Sequence, residues 1–170
     1  MKIFLILSFT AGVLAAVGCG GTMSVQQDWD SDYSFVDIDS YAWLPLRSTP
    51  NIGEARLKRL VSAIDAEMAA KQLALTAEDP SVLLELHVMS QKRLDLNQYG
   101  ATASWAKAND SGDLNKGSVM MDVVDAGTRE LVWRAVADGK VDPSSTPEEQ
   151  TKTYTKLAKK LLEKFPPPEK

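Results

Sequence analysis

The sequence predicts an α+β domain: an antiparallel sheet of about four to six strands with two amphipathic helices packed on one face. Three observations support this prediction. Two segments repeat apolar residues at helical spacing, which is typical of helices with one buried side. Several shorter segments alternate apolar and polar residues, as strands with one buried face do. The chain has 170 residues, a length that suits one such domain.

Charge and residue counts exclude several classes of protein. The chain has 19 Lys and Arg against 23 Asp and Glu, a net charge of −4, whereas a nucleic-acid-binding domain needs a basic face. We therefore expect no nucleic-acid partner. One Cys and one His exclude an internal disulfide, a thiolate zinc cluster and a site with several histidines. No cofactor is expected.

The N-terminus has the pattern of a secretory signal. Lys2 supplies a positive charge, and the apolar run over residues 3–16 is shorter than the ~20 residues of a membrane-spanning helix. Small residues then lead into Cys19, in an arrangement that resembles a bacterial lipobox, with Ala16 where Leu is usual. An uncleaved anchor helix, or an ordinary signal peptide with an incidental cysteine, is the alternative.

The lipobox resemblance implies a lipoprotein signal peptide over residues 1–18 and a single α+β lipoprotein domain over 19–170. Residues 19–24 are then the anchor and tether, and acyl chains on Cys19 attach the protein to a membrane. Two or more such chains make the attachment stable. Gly20 favours the outer membrane, with the domain facing the periplasm, and inner-membrane anchoring stays open.

The first half of the domain predicts two short strands and a helix. One strand is centred on Val25 and the other covers residues 41–44, with an Asp-Ser-Asp turn at 30–32 between them. Residues 54–71 predict an amphipathic helix. Its apolar stripe consists of Leu57, Leu60, Val61, Ile64 and Met68.

The second half predicts three longer strands, over residues 81–90, 118–125 and 130–138. The turn residues at 125–129 make the last two an antiparallel hairpin. The polar stretch 92–117 between the first two is a long hairpin loop. Ordered loops of this length are uncommon and are often functional.

A second helix begins at Thr146. Thr146 and Glu149 have the spacing of a capping box, and Pro147 suits the first helical position. The apolar stripe continues to Phe165, and the prolines at 166–168 end the helix. Its stripe consists of Tyr154, Leu157, Ala158, Leu161, Leu162 and Phe165.

Two residue clusters invite a metal-site interpretation. Asp28, Asp30 and Asp32 alternate, but they lack the glycine and the closing Glu of a calcium loop, so we interpret them as a solvated acidic segment. His87 and Glu85 share a strand face and can act as a general base or bind a metal. One histidine with scattered carboxylates is a weak ligand set, so we predict no metal site.

Strand alternation instead groups five residues into a candidate binding face: Glu85, His87, Asp122, Val132 and Arg134. We interpret its charges as a cross-strand ladder in which Glu85 pairs with Arg134. Two helices cannot cover both faces of a sheet, so this face should be partly open. A semi-apolar open face suits a peptide, a lipid-like ligand or an envelope protein.

Two further sequence boxes are distinctive: Tyr-Ala-Trp-Leu-Pro at 41–45, and Asp-Ala-Gly-Thr-Arg-Glu-Leu-Val-Trp-Arg at 125–134. Together with the lipobox and the two helices, they resemble the lipoprotein family catalogued as domain of unknown function 4136. The resemblance implies a bacterial envelope lipoprotein with a small α+β fold, and it brings no catalytic residues.

The functional expectation is therefore a non-enzymatic structural or binding accessory of the envelope. No nucleophile beside a base, glycine-rich phosphate loop or second histidine supports catalysis. An auxiliary subunit of a lipid or solute transport system is the first alternative, and it predicts an apolar groove. A hydrolase or metal-dependent enzyme centred on His87 is the second alternative.

Overall fold

The computed structural model describes residues 23–46, 52–90, 116–140 and 142–168. The predicted signal peptide, Cys19 and nearly all of the predicted 92–117 loop lie outside these residues, apart from the loop's last two positions, which belong to a strand. Within the described part of the chain, no helix has the length and apolar character needed to cross a membrane.

Six strands and two helices make up the described fold, which confirms the α+β class. The strands are β1 (Ser24–Trp29), β2 (Ser40–Trp43), β3 (Ala74–Leu75), β4 (Val82–Ser90), β5 (Lys116–Asp125) and β6 (Leu131–Lys140). The helices are α1 (Glu54–Ala70) and α2 (Pro147–Leu161).

The sheet is mixed, so the prediction of a purely antiparallel sheet is wrong. Its strand order is β1-β6-β5-β4-β2-β3. The neighbouring pairs β1–β6, β6–β5 and β5–β4 are antiparallel. β2, in contrast, runs parallel to both β4 and β3. The reason is α1, which follows β2 and returns the chain to the same end of the sheet before β3 and β4 begin. Such a helical crossover joins parallel strands.

The predicted hairpin between β5 and β6 is confirmed. Its strands pair antiparallel from Lys116–Lys140 to Val123–Trp133, and a register shift follows Val123. The same β5 strand pairs antiparallel with β4 on its other edge. β5 is therefore central, and side chains of three strands meet on each of its faces.

Both helices pack on one face of the sheet, as the sequence predicts. One core cluster joins the buried stripes of α1 and α2 to inward-facing residues of β4, β5 and β6. The most deeply buried large side chains include Trp133, Leu60 and Phe165. Trp133 and Phe165 contact each other with ring centroids 5.1 Å apart. The core therefore lies between the helix pair and this face of the sheet.

Helix α2 begins as predicted and ends earlier than predicted. Thr146 accepts from the backbone N–H of Glu149 and its own N–H donates to the Glu149 carboxylate, which completes the capping box. The helix ends at Leu161, so Phe165 is not part of it, although it is buried in the core. A turn over residues 162–164 follows the helix, and Phe165 stays outside the helical region because a proline follows it.

A side chain of β1 caps the carbonyl end of α2. The Gln27 amide donates to the carbonyl oxygens of Lys160 (2.8 Å) and Leu161 (3.1 Å). Its own oxygen accepts from the backbone N–H of Lys164 at 3.1 Å. Because the last carbonyls of a helix have no partner within it, this contact satisfies two of them and holds α2 to the sheet edge.

Candidate functional site

The predicted binding face lies on the side of the sheet away from the helices, here called the outer face. One row across four strands carries four charged residues in register: Asp28 on β1, Arg134 on β6, Asp122 on β5 and Glu85 on β4. His87 lies two residues beyond Glu85 on the same strand face. The structure therefore brings four of the five predicted residues together.

Val132 is the exception. The register shift between Val123 and Val124 lies opposite it, where the partner of β6 changes from Trp133 to Leu131. An irregularity of this kind interrupts the alternation of side chains. Val132 belongs to the main core cluster, so its predicted place on the binding face is not supported by its surroundings.

The charge ladder pairs differently from the prediction. Arg134 donates from Nε to Asp122 Oδ1 and from Nη2 to Asp122 Oδ2, each at 2.6 Å. The predicted Glu85–Arg134 pair is wrong because β5 lies between β4 and β6, so Asp122 is the direct neighbour of Arg134. The hydrogen bonds to Asp122 raise the pKa of Arg134 above its ordinary value, and Glu85 adds to this effect through its charge.

The outer face is more buried than the partly open face that the sequence predicts. Asp122 and Arg134 are 5% and 9% exposed, and neighbouring Leu83, Met120 and Val136 are buried too. Glu85 and His87 retain 44% and 21% exposure of their side chains. The accessible charges of the row therefore lie at its two ends, Asp28 on β1 and Glu85 on β4, with His87 beside Glu85.

Glu85, His87 and Asp122 form the one group of potential metal ligands among the described residues, with one ligand atom from each within 4.8 Å of the others. His87 Nε2 lies 3.4 Å from Glu85 Oε1. Carboxylate and imidazole groups suit a divalent transition metal. Asp122 already accepts two hydrogen bonds from Arg134, however, and this guanidinium would stand beside the added cation. The pairing therefore favours the ion-pair interpretation.

The alternating aspartates near the start of the domain make local turn contacts. The Asp30 carboxylate accepts from the backbone N–H of Asp32 at 2.8 Å, and the Asp28 carboxylate accepts from the N–H of Trp29 at 3.0 Å. Asp28, Asp30 and Asp32 are all exposed. These contacts agree with the interpretation of a solvated acidic segment.

The 41–45 box attaches β2 to α1 through one carboxylate oxygen. Tyr41 Oη and Trp43 Nε1 both donate to Asp65 Oδ1, at 2.9 Å and 2.8 Å. Burial, with Asp65 as its acceptor, raises the pKa of Tyr41 above its ordinary range. The box was recognised in the sequence, but Asp65 was not predicted as its partner. The position of Asp65 beside the apolar stripe of α1 is the sequence feature that could have indicated this role.

The 125–134 box organises a turn in the same way. Asp125 Oδ1 accepts from the backbone N–H groups of Gly127 (3.0 Å) and Thr128 (2.7 Å), while its Oδ2 accepts from Tyr33 Oη at 2.7 Å. These hydrogen bonds lower the pKa of Asp125. Burial and the contact with Asp125 raise the pKa of Tyr33 to about 12. Tyr41, Trp43, Asp125 and Arg134 of the two boxes are therefore engaged in holding the fold.

A cavity of about 320 Å³ lies where β4 and β6 end, β5 begins and the first halves of both helices approach. This volume is at the lower end of the ~300–1,000 Å³ typical of small-molecule sites. Its lining is mainly apolar and includes Met23, Leu60, Val88, Val119 and Leu157. The cavity was not predicted, because these residues come from five separate segments of the chain.

One solved structure shows a similar fold, and a second matches below that level. A PDZ domain protein from Parabacteroides distasonis matches with 18% identity and a TM-score of 0.52, over 87% of this chain and 37% of that one. This chain thus spans little more than a third of that protein. A PelC dodecamer from Paraburkholderia phytofirmans matches with 16% identity and a TM-score of 0.48, over 83% of this chain and 95% of that one. Similarity at this level of identity concerns the fold alone.

The family comparison is more specific. No curated protein sequence matches this chain. Residues 25–167 match the family described as "Domain of unknown function (DUF4136)", and the match includes both boxes, both helices and all six strands except the first residue of β1. The chain therefore belongs to the DUF4136 family.

Proposed function

We propose that the protein is a lipid-anchored envelope lipoprotein, facing the periplasm from the outer membrane, that acts as a non-enzymatic structural or binding accessory. The lipobox pattern at Cys19 supports the anchor, and the observation that carries the non-enzymatic role is that polar side chains in and beside the two boxes are bound within the fold. Tyr41 and Trp43 are bound to Asp65, Tyr33 to Asp125, and Arg134 to Asp122. Groups engaged in this way stabilise a scaffold and are not free to act on a substrate.

The anchor is tested by changing Cys19, which the lipobox pattern selects. Membrane fractionation and intact mass are compared for the wild type, Cys19→Ala and Thr22→Ala, where Thr22→Ala is a nearby change that keeps the cysteine. We expect wild type and Thr22→Ala to sediment with the outer membrane and to carry acyl mass, and Cys19→Ala to lose that mass. If all three proteins behave alike and retain residues 1–18, the lipoprotein proposal is wrong.

The binding role is tested at the β4 end of the outer face, where the side chain of Glu85 is accessible. Glu85→Lys reverses a half-exposed charge of the row, and Glu130→Lys makes the same change at an exposed position outside it. Crosslinking in cells should reveal a partner that is lost with Glu85→Lys and kept with Glu130→Lys. Identical crosslinking patterns and envelope phenotypes for both variants would count against this face.

An auxiliary role in lipid or solute transport is the second candidate, and the apolar cavity favours it. Its lining suits an apolar ligand better than a polar solute, because the surface of its wall is mainly apolar. Purified protein extracted under mild conditions should then carry a copurifying lipid that native mass spectrometry detects.

A metal-dependent enzyme centred on His87 remains a third proposal, supported by the distance of at most 4.8 Å within the Glu85–His87–Asp122 group. Calorimetric titration with Zn²⁺ or Ni²⁺ tests it directly. Binding that disappears in His87→Gln, and not in Glu130→Gln, would support it. Equal heats for both variants and the wild type would argue for the ion-pair interpretation.

A further inference from the structure

The cavity lies at the end of the domain where the lipid anchor arrives. Met23 lines it, and β1 begins at the next residue, Ser24. Cys19 precedes Met23 by four residues, so an extended chain separates them by at most ~14 Å. Any acyl chain on Cys19 therefore starts within a short distance of the cavity.

The charged residues of the cavity wall balance one another. Arg56 and Lys140 carry positive charge, and Asp138 and Asp142 carry negative charge. A ligand with a charged head would therefore find no net attraction from these four residues. An uncharged ligand has no such requirement.

These charged groups are also engaged within the protein. Arg56 Nη2 donates to the carbonyl oxygen of Pro143 at 2.6 Å, and Asp142 Oδ1 accepts from the N–H and hydroxyl of Ser144 at 2.8 Å and 2.6 Å. Ser118 donates its hydroxyl to Asp138. What the cavity offers a ligand is therefore chiefly its apolar wall.

We infer that the cavity holds one acyl chain of the lipid attached to Cys19 of the same molecule. The inference rests on the proposed lipid anchor. The ester and amide linkages of such a lipid carry no charge, which matches the balanced wall. A volume of about 320 Å³ suits one chain and not the several that the anchor carries.

An acyl chain in the cavity matters most when the protein is outside the bilayer. A bilayer and an apolar cavity both remove methylene groups from water, so the cavity adds little while every chain is inserted. When the anchor is exposed to water, the cavity covers part of its apolar surface. The domain thus shelters its own lipid between membranes.

The experiment uses a fatty acid with a diazirine in its chain, fed to cells that make the full-length protein. The acylated protein is purified, held in buffer below the critical micelle concentration of its detergent, and irradiated. Mass spectrometry then locates the crosslinks and the acyl mass on Cys19. We expect crosslinks from the Cys19 lipid to cavity residues such as Leu60, Val119 and Leu157.

Two variants on α2 provide a matched comparison. Thr153 is exposed at the cavity wall, and Thr155 is exposed on the same helix away from it. Thr153→Trp fills the cavity and should reduce these crosslinks severalfold, while Thr155→Trp should leave them at the wild-type level. Met23→Trp fills the cavity from the segment just before β1, and it replaces Thr153→Trp if circular dichroism shows that the latter does not fold.

The outcomes separate the inference from the proposed function. Acyl mass on Cys19 with crosslinks elsewhere, or with equal yields in the folded cavity variants, overturns the inference and leaves the anchor intact. No acyl mass on Cys19 overturns both. Crosslinks in the cavity that persist in Cys19→Ala show a separate lipid and also overturn the inference.

Discussion

The pair between Asp122 and Arg134 joins two buried charges of the outer face, and its energy can be measured. We propose the single changes Asp122→Leu and Arg134→Met and their combination. Each replaces a charged side chain by an apolar one of comparable size. The three variants and the wild type form a double-mutant cycle.

The structure sets the expected magnitudes. Two charge-assisted hydrogen bonds of 2.6 Å join side chains that are only 7% and 11% exposed. Removing one partner leaves the other charge buried and unpaired, which costs about 3–5 kcal/mol of unfolding free energy. Glu85 and Asp28 flank the pair in the row, so Asp122→Leu, which leaves them near Arg134, should lie at the lower end of this range.

The double variant should be far more stable than the sum of the single effects. Replacing a whole buried ion pair by packed apolar residues is often neutral or stabilising, so we expect a change within about 1 kcal/mol of wild type. Urea unfolding, followed by tryptophan fluorescence and circular dichroism, gives these free energies by linear extrapolation. Asp28→Asn is the control: its carboxylate is exposed in the same row, and we expect a change below about 0.5 kcal/mol.

Two results would refute the reasoning. Single variants that each lose less than about 1 kcal/mol would show that water reaches the unpaired charge. Additive effects, with the double variant as unstable as the sum, would show that packing of the two side chains dominates and that their charges do not interact strongly.

Three further predictions concern the helix cap, alkaline pH and the core. Gln27→Met removes three hydrogen bonds at the end of α2 and should lower the unfolding free energy by about 1–3 kcal/mol. The control Gln26→Met, at the exposed neighbouring position, should change it little. Urea unfolding measures both variants, and equal effects would contradict the capping role of Gln27. Folding raises the pKa of Tyr33 from 10.0 to about 12, so its contribution to stability is complete below pH 10 and is lost as the pH rises towards 12. Comparing urea midpoints of wild type and Tyr33→Phe across this window should show a smaller alkaline loss in the variant, and parallel curves would contradict the assignment. Phe165→Ala empties a fully buried site beside Trp133 and should cost about 3–5 kcal/mol in the same assay; a loss below about 1 kcal/mol would mean that the site collapses around the change.

The local elements follow from sequence patterns because their causes are local. The stripe of α1, the capping box of Thr146 and Glu149, and the turn between β5 and β6 each depend on residues a few positions apart. Periodicity and capping chemistry predict such features well. The end of α2 was mistaken because the apolar stripe continues into Phe165, where a buried residue after the helix resembles one within it.

Strand direction depends on longer-range pairing. The order β2–α1–β3–β4 contains a strand–helix–strand unit, which is the usual signal for parallel neighbours. The antiparallel prediction was wrong for β2 because the helix that follows it returns the chain to the same end of the sheet. The strand order itself, with β2 between β4 and β3, depends on contacts between residues some forty positions apart.

The sequence by itself determined the class of the fold, the two amphipathic helices, the hairpin and four of the five residues predicted on the outer face. Tertiary structure decided which of those residues meet. Asp122, and not Glu85, pairs with Arg134 because the strand order makes β5 the neighbour of β6, and Asp65 binds Tyr41 and Trp43 because α1 packs over β2. Tertiary structure likewise created the cavity. Local patterns specify where side chains point, but only the arrangement of distant segments determines what they touch and what space they enclose.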